Sequence, residues 1–380
     1  MVSFIHTSDW QLGMHRDFFS NEGNYRYIDS QFKAINELFK LGNERNVDFI
    51  LVAGDVFEHF WPSFEIRNKF LDALYSCNKP IIFLPGNHDY FNSGSIWQKF
   101  INDKKLPKNV SVLTDSSVHV LDNCDTEIIG VPRTSRSSEF DPVSNVVKSL
   151  GSKRCSYRIL VAHGQVDQLL GGSFSNYTIS LDALKKAIDD SLIDYIALGD
   201  RHSTTNLYKS RICYSGAPLA TDFNEVDSNT ALLVELDLNQ VRTESIKIGN
   251  WVFCKKELDL GLRDSQALNY LKDFLNTFQD KPHSVLRLTL LGTVTLKQFN
   301  EIEQYLEEQA TLFAALDVRK SSLARIVNDD EIQGLGLSGF ALDALNKLKG
   351  LIDSNSAESQ TAADAIALLY RFKEEKSYED

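Results

Sequence analysis

"FILVAGDVFE", residues 49–58, runs an unbroken apolar stretch straight into a glycine and an aspartate. The stretch is continuous rather than alternating, which marks a strand covered on both faces. The carboxylate of Asp55 stands where that strand ends, and in α/β sheets sites assemble at the carboxyl ends of strands. The same arrangement recurs on either side. Ile81–Leu84 leads into "GNHD", residues 86–89, and Ile159–Ala162 leads into His163 and Gly164. Tyr195–Leu198 leads into "GDRH", residues 199–202, and Val2–His6 leads into "SDWQLG", residues 8–13. One Asp or His at a strand end is more often a cap or a turn residue. Five strand ends that each deliver a potential ligand point to a metal centre.

The rest of the first 250 residues fits strands alternating with helices. Ile66–Leu74 has helical spacing, and from Thr230 to Ile248 the pattern turns to alternating strands, as at the edge of a sheet. A second unit is expected from Trp251. It has helical periodicity over 265–278, a strand at "SVLRLTLLGTVT" (284–295), a helix over Leu296–Gln309 and a further strand at "FAALDVRKSS" (313–322). A tail follows, with an amphipathic helix over about 338–352 that aligns Leu342, Leu345 and Leu348. A second tail helix opens at Thr361 and carries Ala365, Leu368, Leu369 and Phe372. These units divide the chain into 1–250, 251–328 and 329–380.

At 380 residues the chain is too long for one core. No apolar run reaches membrane-spanning length, and Asp9 interrupts any signal-peptide pattern. Five scattered cysteines form no CxxC pair, which favours reduced thiols and a cytoplasmic setting. With 40 Lys and Arg against 52 Asp and Glu, the net charge of −12 argues against gripping nucleic acid by bulk charge alone.

The order of these motifs resembles the calcineurin-like metallophosphoesterases, whose signature runs D-x-H, G-D, G-N-H-D, H, G-H-x-H. "TSDWQLG", "GDVFE" and "YSGAP" (214–218) are similar to the SbcD-type DNA repair nucleases within that superfamily. The resemblance is strong over residues 1–225 and weaker beyond. It implies a four-layer α/β/β/α sandwich with a small α/β capping domain and a C-terminal pair of helices. It also implies two divalent metal ions sharing Asp55. One ion would take Asp9, Gln11, Asp55 and His202, and the other Asp55, Asn87, His163 and Asp200. His88 would act at the leaving oxygen as general acid or phosphate contact, and Asp89 would orient it. Two cations roughly 3.5–4 Å apart can clamp the attacking and leaving oxygens of a phosphoryl displacement, so no side-chain nucleophile is needed. Mixed oxygen and nitrogen donors suit Mn2+ or Fe2+, and Mg2+ less well. By resemblance the partners are DNA, an SMC-like ATPase of the SbcC type bound through the C-terminal helices, and a second copy in a homodimer, with no membrane.

Two ligands depart from the family pattern. Gln11 stands for a histidine, and Asp200 for the first histidine of G-H-x-H. Glutamine offers an amide oxygen in place of an imidazole. Asp9, Asp55 and Asp200 would bring −3 against +4 for two divalent ions. One reading is a decayed site. The other is a retuned, active one, favoured because each changed position keeps an oxygen donor. Around the site, His59 and Trp61 in "FEHFWPSF" (57–64) are candidates for stacking on unpaired bases, or else a helix start that buries Phe60 and Trp61. Arg133 and Arg136 in "VPRTSRSS" are candidates for phosphate contacts, or solvated loop residues. His6, His15, His119 and His283 lack motif context and are taken as structural. The expected activity is a two-metal phosphodiesterase acting on DNA. The alternatives are a small-nucleotide phosphoesterase and a non-catalytic scaffold.

Overall fold

A computed structural model describes residues 1–136, 141–170, 178–238, 240–261, 266–326 and 337–354, and all of 358–368 except 360, 363 and 367. The chain divides into two compact units, Met1–Trp251 and Val252–Asp380.

The first unit opens with Val2–Thr7 (β1), Asn21–Glu44 (α1), Phe49–Ala53 (β2), Phe64–Tyr75 (α2), Ile81–Leu84 (β3), Ile96–Asn102 (α3) and Val110–Val112 (β4). It continues with Val118–Leu121 (β5), Thr126–Val131 (β6), Pro142–Ser149 (α4), Tyr157–His163 (β7), Gln165–Val166 (β8), Thr178–Ile179 (β9) and Leu181–Asp189 (α5). Tyr195–Gly199 (β10), Thr205–Tyr208 (β11), Ile212–Tyr214 (β12), Thr230–Leu236 (β13) and Val241–Lys247 (β14) complete it. One six-stranded sheet has the order β14-β13-β1-β2-β3-β4, the other β11-β12-β10-β7-β6-β5.

The continuous apolar runs are the central strands. β1, β2 and β3 lie parallel in the first sheet, and β6, β7 and β10 lie parallel in the second. Burial on both faces explains their composition. Phe4, Phe49, Leu51, Ile82, Ile128, Ile159, Val161 and Tyr195 form one core between the sheets, where Phe4 stacks on Phe49 at 4.8 Å. Ile5, Ile50 and Val52 face the other way, onto α1, α2 and α3 through Ile35, Phe39, Phe70 and Trp97. Leu160, Ile196 and Leu198 face α4 and α5 through Val143, Val147, Leu184 and Ile188. Helix, sheet, sheet and helix are therefore stacked, which is the expected four-layer sandwich. The alternating segment after Thr230 forms β13 and the edge strand β14, paired antiparallel.

In the second unit, Val252–Asp259 (β15), Ala267–Leu275 (α6), Ser284–Thr295 (β16), Leu296–Ala310 (α7) and Ala315–Ile326 (β17) form two β-α-β steps. The three strands are parallel, with β16 in the middle. Thr295 ends β16 and caps α7 in a capping box with Gln298, which places the strand–helix boundary there. The tail helix Phe340–Asp353 (α8) turns its stripe onto this unit: Leu345 is fully buried in a cluster with Leu296 and Ile366. Residues 361, 362, 364–366 and 368 are helical, as expected, whereas Leu369 and Phe372 lie outside the described residues. Among the described residues no helix is long and apolar enough to cross a membrane.

Candidate metal centre

The carboxyl ends of the parallel strands meet across the sandwich. Ala53, the last residue of β2, accepts a hydrogen bond through its carbonyl from His163 Nδ1 at the end of β7, 2.7 Å away. Beyond the strand ends the backbone stays paired: Asp9 N donates to Gly54 O at 3.0 Å, and Gln11 N to Asp55 O at 3.0 Å. The loops carry unusual backbone. Asp9 (φ 54°), Gln11 (45°), Asp55 (53°) and Asp200 (93°) all have positive φ. Aspartate tolerates this region better than most residues, and glutamine has no such help. Strain of this kind costs on the order of 1–3 kcal/mol per residue and persists where surrounding contacts over-determine it. Two glycines make the close approach possible. A Cβ on Gly54 would lie 2.1 Å from His163 Nδ1, and one on Gly86 would lie 2.1 Å from Asp55 Oδ1.

Two sets of donors gather, one around His163 and one around His202. On the first side, His163 Nε2 lies 2.9 Å from Asn87 Oδ1, 3.3 Å from Asp55 Oδ2 and 3.7 Å from Asp200 Oδ1. His163 Nδ1 faces a carbonyl, which only accepts, so Nδ1 carries the hydrogen and Nε2 is the nitrogen offered to the cluster. On the second side, His202 Nε2 lies 3.0 Å from the Gln11 side-chain nitrogen, Nε2, and 3.7 Å from Asp9 Oδ1. Its Nδ1 is 2.9 Å from Glu225 Oε1 and 2.7 Å from Thr221 Oγ1. Ligand atoms of Asp9, Asp55 and His163 all lie within 4.8 Å of one another, which ties the two sides together.

The electrostatics favour a cation. Burial works against charge on Asp55, yet the His163 imidazole, with His88 behind it, more than offsets this and holds the carboxyl down at about 2. Burial pushes the Asp9 carboxyl up, against the pull of His202 and His163. Burial also opposes the charged imidazoles. Asp55, Asp9 and Asp200 nevertheless raise His163 to about 10, and Glu225 and Asp9 raise His202 to about 9. Carboxylates that draw protons onto buried imidazoles this strongly provide a strong field for a divalent ion. The Gln11 amide oxygen points the same way: it is buried with no hydrogen-bond partner, a costly state that a ligated cation relieves. Carboxylate and amide oxygens with imidazole nitrogens fit divalent ions of the manganese-to-zinc class.

His88 stands at the rim. Its backbone N–H donates to Asp55 Oδ1 at 2.9 Å, its Nδ1 to Glu58 O at 2.8 Å, and its Nε2 is 4.0 Å from Asp55 Oδ2. Asp89 does not orient that ring as expected. Its carboxylate accepts from Gly86 N at 2.7 Å, Val56 N at 3.0 Å and Phe57 N at 3.3 Å, so it ties the "GDVFE" and "GNHD" loops together, and the Glu58 carbonyl holds the imidazole. Burial, reinforced by Asp55, raises the Asp89 carboxyl to about 7.

The outer candidates fall in different places. His59 is exposed, and Trp61 is 49% exposed under the Arg67 guanidinium, 5.3 Å from the ring centre. The expected alternative of a helix start burying Phe60 and Trp61 does not hold. Helix α2 begins at Phe64, and Phe60 stacks on Tyr90 at 4.5 Å. Arg133 is not a surface residue: it is 5% exposed and donates from Nη2 to Arg136 O at 2.8 Å, while its own backbone carbonyl accepts from Phe91 N. Arg136 is exposed.

The supports of the site carry no sequence signal of this kind. Glu225 and Thr221 brace His202 from a loop whose spacing does not mark them. Ser8 donates to Asp9 Oδ2 at 2.6 Å and meets Ser215 of "YSGAP" at 2.9 Å, so that motif steadies Asp9 from behind.

A family model described as calcineurin-like phosphoesterase matches residues 2–204. The SbcD component of the nuclease SbcCD from Staphylococcus epidermidis is 25% identical over 266 residues, which is 64% of this chain and 68% of that protein. The protein of the same name from Bacillus subtilis strain 168 is 24% identical over 262 residues, 59% of this chain. The chain spans 63% of that relative, under two thirds of its length. Among solved structures, TT1561 of Thermus thermophilus is 12% identical with a TM-score of 0.42, covering 64% of this chain and 98% of the other. A dimetal phosphatase from Danio rerio is 10% identical with a TM-score of 0.41, covering 65% and 98%.

Proposed function

This chain belongs to the calcineurin-like phosphoesterase family, and from that premise we propose that it is a two-metal phosphodiesterase that cleaves DNA. The observation that carries this reading is the cluster of Asp9, Asp55 and His163, whose ligand atoms lie within 4.8 Å of one another, with Asn87 and Asp200 beside His163 and His202 beside Asp9. One divalent ion would be held by Asp55, Asn87, His163 and Asp200, the other by Asp9, Gln11, Asp55 and His202. When bound, such ions lower the pKa of water and neutralise charge on a phosphodiester. Mn2+ suits the donor set best. In its doubly protonated form His88 presents an Nε2 hydrogen to the leaving oxygen and donates it there, ending as the neutral ring whose Nδ1 hydrogen stays on Glu58 O. Asp89 holds the loops on which Asp55 and His88 sit. Trp61 and His59 are exposed for stacking on unpaired bases, and Arg136 for a phosphate. Arg133 acts by shaping the Arg136 loop.

DNA as substrate is supported by the two relatives whose names mark them as parts of a nuclease, and the acidic balance of the chain suits a shared grip on DNA. The same names mark a subunit of a larger assembly, and the family resemblance in the sequence supports an SMC-like ATPase of the SbcC type as the partner, in the cytoplasm. Residues 251–328 serve as the capping domain and 329–380 as the docking tail. Leu345 and Ile366 already cover Leu296, so docking falls to the outer side of the tail, where Phe340 is 88% and Leu368 53% exposed. A second copy of the chain completes the assembly.

The test is a cleavage assay on single-stranded and hairpin DNA with Mn2+, with chelator, and with and without the ATPase. We expect metal-dependent cleavage that the ATPase stimulates in the wild type but not in Phe340→Glu. Hydrolysis of mononucleotides but not of DNA would favour the small-nucleotide enzyme. Activity on neither would favour the scaffold.

A further inference from the structure

The three imidazoles of the centre are held in different ways. His163 Nδ1 donates to the carbonyl of Ala53 and His88 Nδ1 to that of Glu58, both neutral backbone groups; the Glu58 carboxylate stands 3.8 Å from His88 Nδ1, beyond hydrogen-bond reach. His202 Nδ1 instead faces a carboxylate, Glu225 Oε1, at 2.9 Å and the Thr221 hydroxyl oxygen at 2.7 Å. We propose that Glu225, braced by Thr221, is a positioning residue that fixes the tautomer of His202 and strengthens its Nε2 as a cation ligand beside Gln11. This deepens the two-cation reading above and rests on it.

The bracing is built from several directions. Thr221 N donates to Glu225 Oε2 at 3.0 Å, and the Thr221 hydroxyl donates to Oε1. Arg16 Nη2 holds Thr221 O at 2.8 Å, and Val226 N donates to Ser203 Oγ at 2.9 Å. The Glu225 side chain is only 7% exposed. With the hydroxyl hydrogen committed to Glu225, both groups facing Nδ1 are acceptors. When the ring gives up one proton, the hydrogen that remains therefore belongs on Nδ1, and Nε2 is the nitrogen freed toward Gln11 and Asp9. A carboxylate behind a ligating imidazole raises its basicity, and losing such a partner typically costs about 10–100-fold in metal affinity. The placement has a chemical reason. Gln11 gives this side a neutral amide where an imidazole would bind transition metals better. The anionic partner of His202 compensates on the same cation. The other side has the Asp200 carboxylate, and a backbone carbonyl behind its imidazole suffices.

The experiment is a calorimetric Mn2+ titration of the wild type, Glu225→Ala, Glu225→Gln and Thr221→Val. Nitrogen-15 spectra of the histidine rings are recorded alongside, and melting is followed without metal. We expect Glu225→Ala to weaken one of two sites by about 10–100-fold and leave the other as it was. Glu225→Gln, which keeps an acceptor but no charge, should recover part of the loss. In metal-free protein above pH 9, where the ring is neutral, His202 should be Nδ1-protonated in the wild type and mixed in Glu225→Ala. Should Glu225→Ala unfold, Glu225→Gln and Thr221→Val still report on the same site. Two unchanged sites in all three variants, or equal weakening of both sites, would overturn the proposal. A wild type that binds no Mn2+ would overturn the two-cation reading itself, and the ring spectra would then report whether Glu225 still sets the tautomer.

Discussion

The His163 set and the His202 set of donors both lie against the Asp9–Asp55 pair and differ in nearly everything else. On the His163 side the imidazole is fully buried, backed by a backbone carbonyl, and surrounded by Asn87, Asp55 and Asp200. On the His202 side the imidazole is 23% exposed, backed by a carboxylate, and paired with a glutamine whose oxygen has no partner. The first side is set by the strands themselves, because β2 and β7 present Ala53 O and His163 Nδ1 to each other. The second depends on loops: the one after β1, which carries Gln11, and the one after β12, which carries Thr221 and Glu225. Replacing ligands is tolerable where side chains can adjust around them. Both departures from the family pattern, Gln11 and Asp200, lie on loops rather than within strands.

The largest expected effect removes the comparison altogether. Asp55→Ala takes a donor from both sides, so both cations and cleavage should be lost together. Retention of half the rate, measured alongside metal content, would mean that the sides do not share this carboxylate. Next comes His88→Ala, which removes no proposed ligand and keeps the backbone N–H that donates to Asp55. Cleavage should fall by about 100-fold or more with metal content unchanged, and loss of a metal would make His88 a ligand. A third test uses pH. With His163 raised to about 10 and His202 to about 9, each imidazole must release a proton to bind a cation. Mn2+ affinity should therefore rise from pH 6 to pH 8, by up to about tenfold per unit for each proton released. A flat titration would show that the imidazoles do not ligate. The smallest effects separate the sides. Gln11→Leu should weaken one site only, and Gln11→His should tighten that same site with activity kept. Identical Mn2+ isotherms for these two variants and the wild type would show that Gln11 plays no part.

Much of this is legible in the sequence because parallel strands buried on both faces carry an unmistakable apolar run, and their ends are where the chain must turn. That logic locates Asp9, Asp55, Asn87, His163, Asp200 and His202 without any geometry. It does not locate α1, although Ser20 caps it and Tyr27, Ile35, Leu38 and Phe39 follow at helical spacing. The signal for that helix is present, but it lies between strand ends rather than at one. Glu225, Thr221 and Ser215 are not legible for a deeper reason. They act through hydrogen bonds from loops, which have no periodicity, and distance along the chain says nothing of contact. The same holds for Arg133, which looks like a surface loop residue and is buried, and for the positive φ of Gln11, which no propensity scale anticipates.

Two unequal cation sites sharing Asp55 would be seen in a crystal structure grown with Mn2+, with the ions located by anomalous scattering. Two ions are expected, both contacting Asp55, one also bound by Asn87, His163 and Asp200 and the other by Asp9, His202 and the amide oxygen of Gln11. A single ion, or a Gln11 side chain turned away from the metal, would contradict that arrangement.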